Sequence, residues 1–155
     1  MSFADVAIMA PVPGRGLHTP MVASGPGAEA ASSMLSACGA TVEVLPGPRG
    51  AAATRKLLRS VFYKGLAAAA VEALLAARSA GCEDWLREHI AAELAAELAA
   101  ADRGTLTRIE EGSYRHAGRR AHEMAAASEL LDELSVPARV ARAGQHWLED
   151  LARRG

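Results

Sequence analysis

The sequence predicts a short α/β segment followed by a long all-α body, and three observations carry that reading. Two short apolar, β-branched runs, "VAIM" at residues 6–9 and "VEVL" at 42–45, lie before Gly50 among Pro/Gly loops. After Gly50 the chain reads almost wholly as helix. Apolar residues make up 50% of the 155 residues but aromatics only 4%, so a core must be built from Ala, Leu and Val. Alanine has the best helix propensity, and its small side chain lets helix axes approach closely.

Each element has its own local reason. Residues 5–10, "DVAIMA", read as a strand, followed by the loop "PVPGRGLHTP" and a second run, "MVASG". Pro26 and Gly27 open a helix through "AEAASSMLSAC", Gly39 stops it, and "TVEVLPGP" supplies a third strand. About three strands and one helix are too few to close a sheet, so the two apolar runs look like part of a larger one. A long helix is predicted over 51–78 with Gly81 as its stop, and another over 83–101. A break at "DRGT" precedes 106–111, a helix follows over 113–134, and Pro137 starts the helix that closes the chain. Trp85, Trp147, Leu86, Ile90, Leu94 and Leu98 are assigned to packing. The repeated "AAEL" at 91–98 is assigned to a core-facing or subunit-facing stripe.

The formal net charge of -1 gives no global attraction to nucleic acid or to an anionic membrane. Cys38 and Cys82 form neither a disulfide framework nor a metal-ligand spacing, so no metal is expected and a reducing cytoplasm is the expected compartment. The N-terminus carries Asp5 without a basic leader or a cleavage pattern, unlike a signal peptide. Glu72, Arg78, Glu93 and Glu97 interrupt the alanine-rich stretches, so no window is expected to be apolar enough to cross a bilayer.

The stretch "GAAATRKLLRSVFYKG", residues 50–65, concentrates polar chemistry at the start of the long helix. Lys56, Arg59, Ser60 and Tyr63 stand at i, i+3, i+4 and i+7 and share one face, with Leu57, Leu58, Val61 and Phe62 on the opposite arc. Two readings are open. The stripe is a solvated helix face, which wheel geometry alone favours, or it lines a cleft in which a desolvated lysine serves as acid or base.

The order "MAPVPGRG", "TPMVASGPGAEA", "GATVEVLPGPRGAAATRKLLRSVFYKG" and a helical tail resembles the second half of the 6-phosphogluconate dehydrogenase and 3-hydroxyacid dehydrogenase superfamily. More closely, it resembles a bacterial branch with a helical C-terminal domain of poorly defined substrate. The resemblance runs over nearly the whole chain. It implies that residues 1–49 end an NAD(P)-binding Rossmann-like domain, and that 50–155 form an all-helical domain for substrate binding and dimerisation behind a long interdomain helix.

The same resemblance implies residue roles. Lys56 falls on the catalytic lysine that shuttles the proton of the substrate hydroxyl. Ser60 stands where the family usually has a substrate-binding asparagine, and its hydroxyl still donates and accepts over a shorter reach. Tyr63 replaces the glutamate of the 6-phosphogluconate enzymes, so decarboxylation of that substrate is not supported. Arg59 replaces a histidine and can clamp a carboxylate or phosphate. "MAPVPGRG" matches the family's Asp-Ala-Pro-Val-Ser-Gly-Gly carboxylate loop at Ala10, Pro11, Val12 and Gly14. It departs at Met9, Pro13 and Arg15, so anion holding falls to Gly14, Arg15 and neighbouring amides. In "SYRHAGRRAHEM", residues 113–124, His122 takes the place of a family lysine that approaches the cofactor, by a loose alignment. That basic face lacks the aromatic interleaving of a nucleic-acid site.

The chain has no Gly-x-Gly-x-x-Gly turn, which a dinucleotide needs to bring its pyrophosphate to backbone amides. "GPGAEA" at 25–30 lacks the third glycine. NAD(P) is therefore expected through the family and not through a motif of this chain, which is expected to be inactive by itself as a fragment or a stand-alone relic. Two classes of function follow. One is the substrate and dimerisation portion of an oxidoreductase acting on a small hydroxy acid, as a homodimer without nucleic acid or membrane partners. The other is a non-catalytic helical dimerisation or binding module.

Overall fold

In the computed structural model, which describes residues 2–154, three strands and six α-helices follow one another in the order the turn signals dictate. Strands β1 (Asp5–Ile8), β2 (Met21–Ser24) and β3 (Val42–Val44) make one sheet in the order β1-β2-β3. β1 and β2 pair antiparallel, with Asp5 opposite Ser24 and Ile8 opposite Met21. β2 and β3 pair parallel, joined by helix α1 (Ala28–Ala37), because parallel neighbours need a crossover. Gly39 ends α1 at φ +87°, a left-handed conformation that glycine adopts without steric cost. Val6 and Ile8 on β1 are exposed, so this edge strand presents apolar side chains to solvent.

Helix α2 (Ala51–Ser79) is followed by α3 (Glu83–Ala99), α4 (Thr105–Arg115), α5 (Ala117–Glu133) and α6 (Arg139–Ala152). Gly81, at φ +72°, stops α2 where the sequence placed the stop. The expected break before Ser113 lies instead at His116, whose φ of -115° and ψ of 19° separate α4 from α5, while Gly112 stays helical. A glycine inside a helix costs only about 1 kcal/mol relative to alanine, so it marks no boundary unless the chain turns there.

The chain forms two compact units, residues 1–65 and 66–155, which divide inside α2. In the first, Ala7, Val22, Leu45 and Ala52 make the buried cluster, with Met9 packed against it. In the second, Ala76, Leu131, Val136, Ala138 and Ala141 are buried together, with Met124 and Leu134 alongside.

Two expectations need correction. Trp85 and Trp147 are 62% and 65% exposed, and Leu94 and Leu98 of the "AAEL" stripe are also exposed, so these residues lie outside the buried clusters of this chain, and the core-facing reading of the stripe is overturned. An 18-residue window of α2 reaches a mean hydropathy of 1.4, so this helix is long and apolar enough by length and composition to cross a bilayer. The expectation of no such window overlooked that alanine raises hydropathy while adding little apolar area. One such helix is weak evidence for a span.

Candidate functional site

The first turn of α2 is held by side chains from the sheet. The earliest N–H groups of a helix have no partner within it, and short oxygen-bearing side chains satisfy them. Here the fully buried Ser24 Oγ accepts the Ala52 N–H at 3.0 Å, and Asp5 Oδ2 accepts the Ala53 N–H at 2.9 Å. The Ser24 hydroxyl also donates to Asp5 Oδ2 at 3.5 Å. A carboxylate at this end complements the helix dipole as well. Neither residue was read as functional from the sequence. No local signal marks them, because the cap is supplied 28 and 48 positions away along the chain.

One turn further, Lys56, Arg59, Ser60 and Tyr63 emerge on one side of α2. The Arg59 guanidinium lies 4.2 Å from the centroid of the Tyr63 ring, a cation–π contact on the side of the helix that also carries Lys56. Tyr63 meets Phe62 edge to face at 5.3 Å. Ser60 is half-buried, and Lys56, Arg59 and Tyr63 are exposed. The helix is not surrounded by protein here: Leu57, Leu58, Val61 and Phe62 on the opposite arc are 52–73% exposed.

The loop carrying Val12 and Gly14 leaves the β1–β2 hairpin at the end opposite the Asp5–Ser24 pair. Its base is closed by the Met9 N–H donating to the Pro20 carbonyl at 2.8 Å. Within it the Val12 carbonyl accepts the N–H groups of Arg15 at 2.9 Å and Gly16 at 3.0 Å, and Gly14 sits at φ +79°. The Arg15 and Gly16 amides are thus committed to the turn. Among the described residues no hydrogen bond joins this loop to the Lys56 stripe. His122 lies exposed on α5, in the second compact unit.

A dinucleotide turn would have to come from residues 25–27, at the carboxyl end of β2. The Gly27 N–H donates to the Phe3 carbonyl at 2.9 Å and the Ala28 N–H to the Gly25 carbonyl at 3.0 Å. A Cβ at Gly25 or Gly27 would meet Phe3 backbone atoms at 3.0–3.2 Å. These glycines make room for the N-terminal segment, and the amides of Gly27 and Ala28 are already paired, so the loop does not fit a pyrophosphate. Among the described residues no group of three His, Cys, Asp or Glu side chains is placed to hold a metal ion.

A carboxylate ties two helices of the second unit together. Glu72, on α2, accepts three N–H groups from the start of α6: Arg139 at 2.7 Å and Val140 at 2.8 Å on Oε2, and Ala141 at 2.8 Å on Oε1. Burial pushes its carboxyl upward, but the three backbone donors and the nearby Arg139 charge outweigh it and hold the pKa below the usual value of 4.5. Glu72 borders an apolar cleft of about 420 Å³ lined by Val71, Leu75, Val136, Pro137 and Val140. The sequence did carry a signal for it: one acidic residue in the apolar run "LAAAAVEALLAA".

Residues 77–151 match the family model described as "Domain of unknown function (DUF1932)". Comparison with curated proteins gives no match. Among solved structures the chain is similar to a conserved protein of unknown function reported as structurally similar to 3-hydroxyacid dehydrogenases. The identity is 28% and the TM-score 0.51, over 98% of this chain and 57% of that one. It is also similar to an imine reductase from Pseudomonas sp., at 20% identity and TM-score 0.67, over 99% of this chain and 56% of that one. A reductive aminase from Aspergillus terreus, in complex with NADPH and ethyl-5-oxohexanoate, matches at 20% identity and TM-score 0.69 over the same shares. The two reductase likenesses establish the fold. The chain spans somewhat more than half the length of these structures.

Proposed function

We propose that this chain is the substrate and dimerisation portion of an NAD(P)-dependent oxidoreductase acting on a small hydroxy acid, with Lys56 as its acid/base. Residues 1–49 then end the nucleotide-binding domain and residues 50–155 form the helical domain of a soluble, cytoplasmic homodimer. The observation that carries the reading is the start of α2. The Ser24 and Asp5 caps fix it to the sheet, and helical spacing puts Lys56 on the same side as Arg59, whose guanidinium stacks on Tyr63. Lys56 Nζ moves the proton of the substrate hydroxyl, Arg59 pairs with its carboxylate, and Ser60 and Tyr63 hydrogen-bond the substrate. The Val12–Gly14 turn contributes backbone to the carboxylate side, and His122 is the weakest assignment. The nicotinamide cofactor supplies the redox chemistry, and its pyrophosphate turn is not built by this chain.

The likeness to a structure related to 3-hydroxyacid dehydrogenases supports this reading. Titration with NADPH and NADH, followed by nicotinamide fluorescence, should show no saturable binding by the 155-residue chain, and turnover only together with a nucleotide-binding domain. In that assembly Lys56→Ala should lower kcat by about 10²–10⁴-fold, as removal of a general acid/base does, with little change in KM. Undiminished turnover would remove Lys56 from the mechanism. A non-catalytic helical module is the second reading, favoured by the exposed apolar arc of α2; it expects no turnover in any assembly.

A further inference from the structure

Along the first half of α2 the charges are all of one sign. Arg55, Lys56, Arg59 and Lys64 fall within ten residues, and no acidic residue lies between Ala51 and Gly65. Among the described residues none of the four makes an ion pair, whereas Arg78, Arg87, Arg108, Arg119, Arg142 and Arg153 of the second unit each meet a carboxylate. Asp5, the carboxylate at the start of the helix, is engaged by the Ala53 N–H and the Ser24 hydroxyl. Like charges one turn apart, as Arg55 and Arg59 are, destabilise a helix. An anion laid along this side relieves that repulsion.

The placement of the charges selects the anion. At about 100° per residue, Ser60 and Tyr63 stay within about 40° of Lys56, and the three form a ridge along the helix. Arg59 lies about 60° to one side of Lys56 and Lys64 about 80° to the other. Along the axis Lys64 stands about 7.5 Å beyond Arg59, five residues at the helical rise. Arg55 is turned away from the ridge, its Nη1 donating to the Ala51 carbonyl at 3.5 Å. Two cationic groups therefore bracket the ridge, one on each side and separated along it, and a monocarboxylate answers only one of them. Neither end adds a free amide, because residues 55–64 lie inside α2, where each N–H is bonded to the carbonyl four residues back. A phosphate presents three strong acceptor oxygens and draws on several donors, whereas one guanidinium fork or one ammonium matches a carboxylate.

We infer that this site takes a hydroxy dicarboxylate, with Arg59 on one carboxylate and Lys64 on the other, so that Lys64 sets the specificity. The inference rests on the proposed reading of the Lys56 side as the substrate face, but it does not require Lys56 to be the acid/base.

Amide NMR titration of the 155-residue chain at low salt tests it, with 3-hydroxyglutarate and 3-hydroxyvalerate as probes. The two acids differ only by a carboxylate in place of the terminal methyl group. The dicarboxylate should bind about threefold to fivefold more tightly, the effect of one exposed ion pair, and shift the amides of residues 56–64. Added salt should erode that advantage. Lys64→Gln should abolish it without changing the 3-hydroxyvalerate constant, and Lys64→Arg should retain it. Equal affinities for the two acids, binding of neither, or an advantage untouched by Lys64→Gln would each overturn the proposal. Inorganic phosphate binding more tightly than 3-hydroxyglutarate would overturn it too, by making the second group a phosphoryl. None of these measurements involves turnover. A Lys64-dependent preference together with undiminished turnover of the Lys56→Ala assembly would remove the acid/base role alone, and the reverse pair of results would remove Lys64 alone.

Discussion

Single carboxylates position much of this molecule, and their effects are separable. Glu72 satisfies three of the N–H groups that open α6, where Ala138 at the N-cap position supplies no side-chain cap. Glu72→Ala should therefore cost about 2–3 kcal/mol, the range for stranding donors that a charged acceptor had served. Glu72→Gln should cost less, since its carbonyl still accepts while its amide faces donors. Because the folded carboxyl titrates below its ordinary value of 4.5, this contribution is complete above that value and is lost as pH falls through the lowered folded value. A urea midpoint measured from pH 7 to pH 3 should fall toward acid in the wild type and fall less in Glu72→Gln. Equal slopes would mean that Glu72 is not the titrating latch. At the other end, Ser24→Ala should cost about 1–2 kcal/mol as the loss of a buried N-cap, and adding Asp5→Ala should cost less than a second full increment, because both caps serve one helix end.

Among the elements, those punctuated by glycine were legible in the sequence and those positioned by distant contacts were not. Gly39 and Gly81 adopt positive φ, so the stops of α1 and α2 follow from residue type alone. Gly81→Ala should cost about 1 kcal/mol, the price of a Cβ in that conformation, although nothing lies within 4 Å of the added atom. A thermal melt showing no change would place the helix end elsewhere. Gly112 misled because it remains helical while His116 carries the bend. The face shared by Lys56, Arg59, Ser60 and Tyr63 followed from helical spacing, whereas the stacking of Arg59 on Tyr63 required coordinates. The Asp5–Ser24 cap was out of reach, because antiparallel register brings those two residues opposite each other before either can touch α2. Trp85 was misassigned for a related reason. Composition tells that a residue is apolar, but not whether this chain or another one covers it.

At the scale of the whole molecule, the two compact units have separate buried clusters with no residue in common. A cooperative unit of unfolding is the set of residues whose burial depends on one another. Residues 1–65 depend on Ala7, Val22, Leu45 and Ala52 beneath the capped start of α2, and residues 66–155 on Leu131, Val136 and Ala141 beneath the Glu72 latch. The polar anchors divide in the same way, with Ser24 and Asp5 in one unit and Glu72 in the other. Native-state hydrogen exchange should therefore report two opening free energies. Asp5→Asn should lower protection in the strands and the first turns of α2 while leaving α5 and α6 near their wild-type rates. Glu72→Gln should do the converse, speeding exchange at the start of α6 above all, because the Arg139, Val140 and Ala141 amides lose their acceptor directly. If either substitution lowered protection uniformly across both units, the chain would open as one body, and the division inside α2 would be geometric without being energetic.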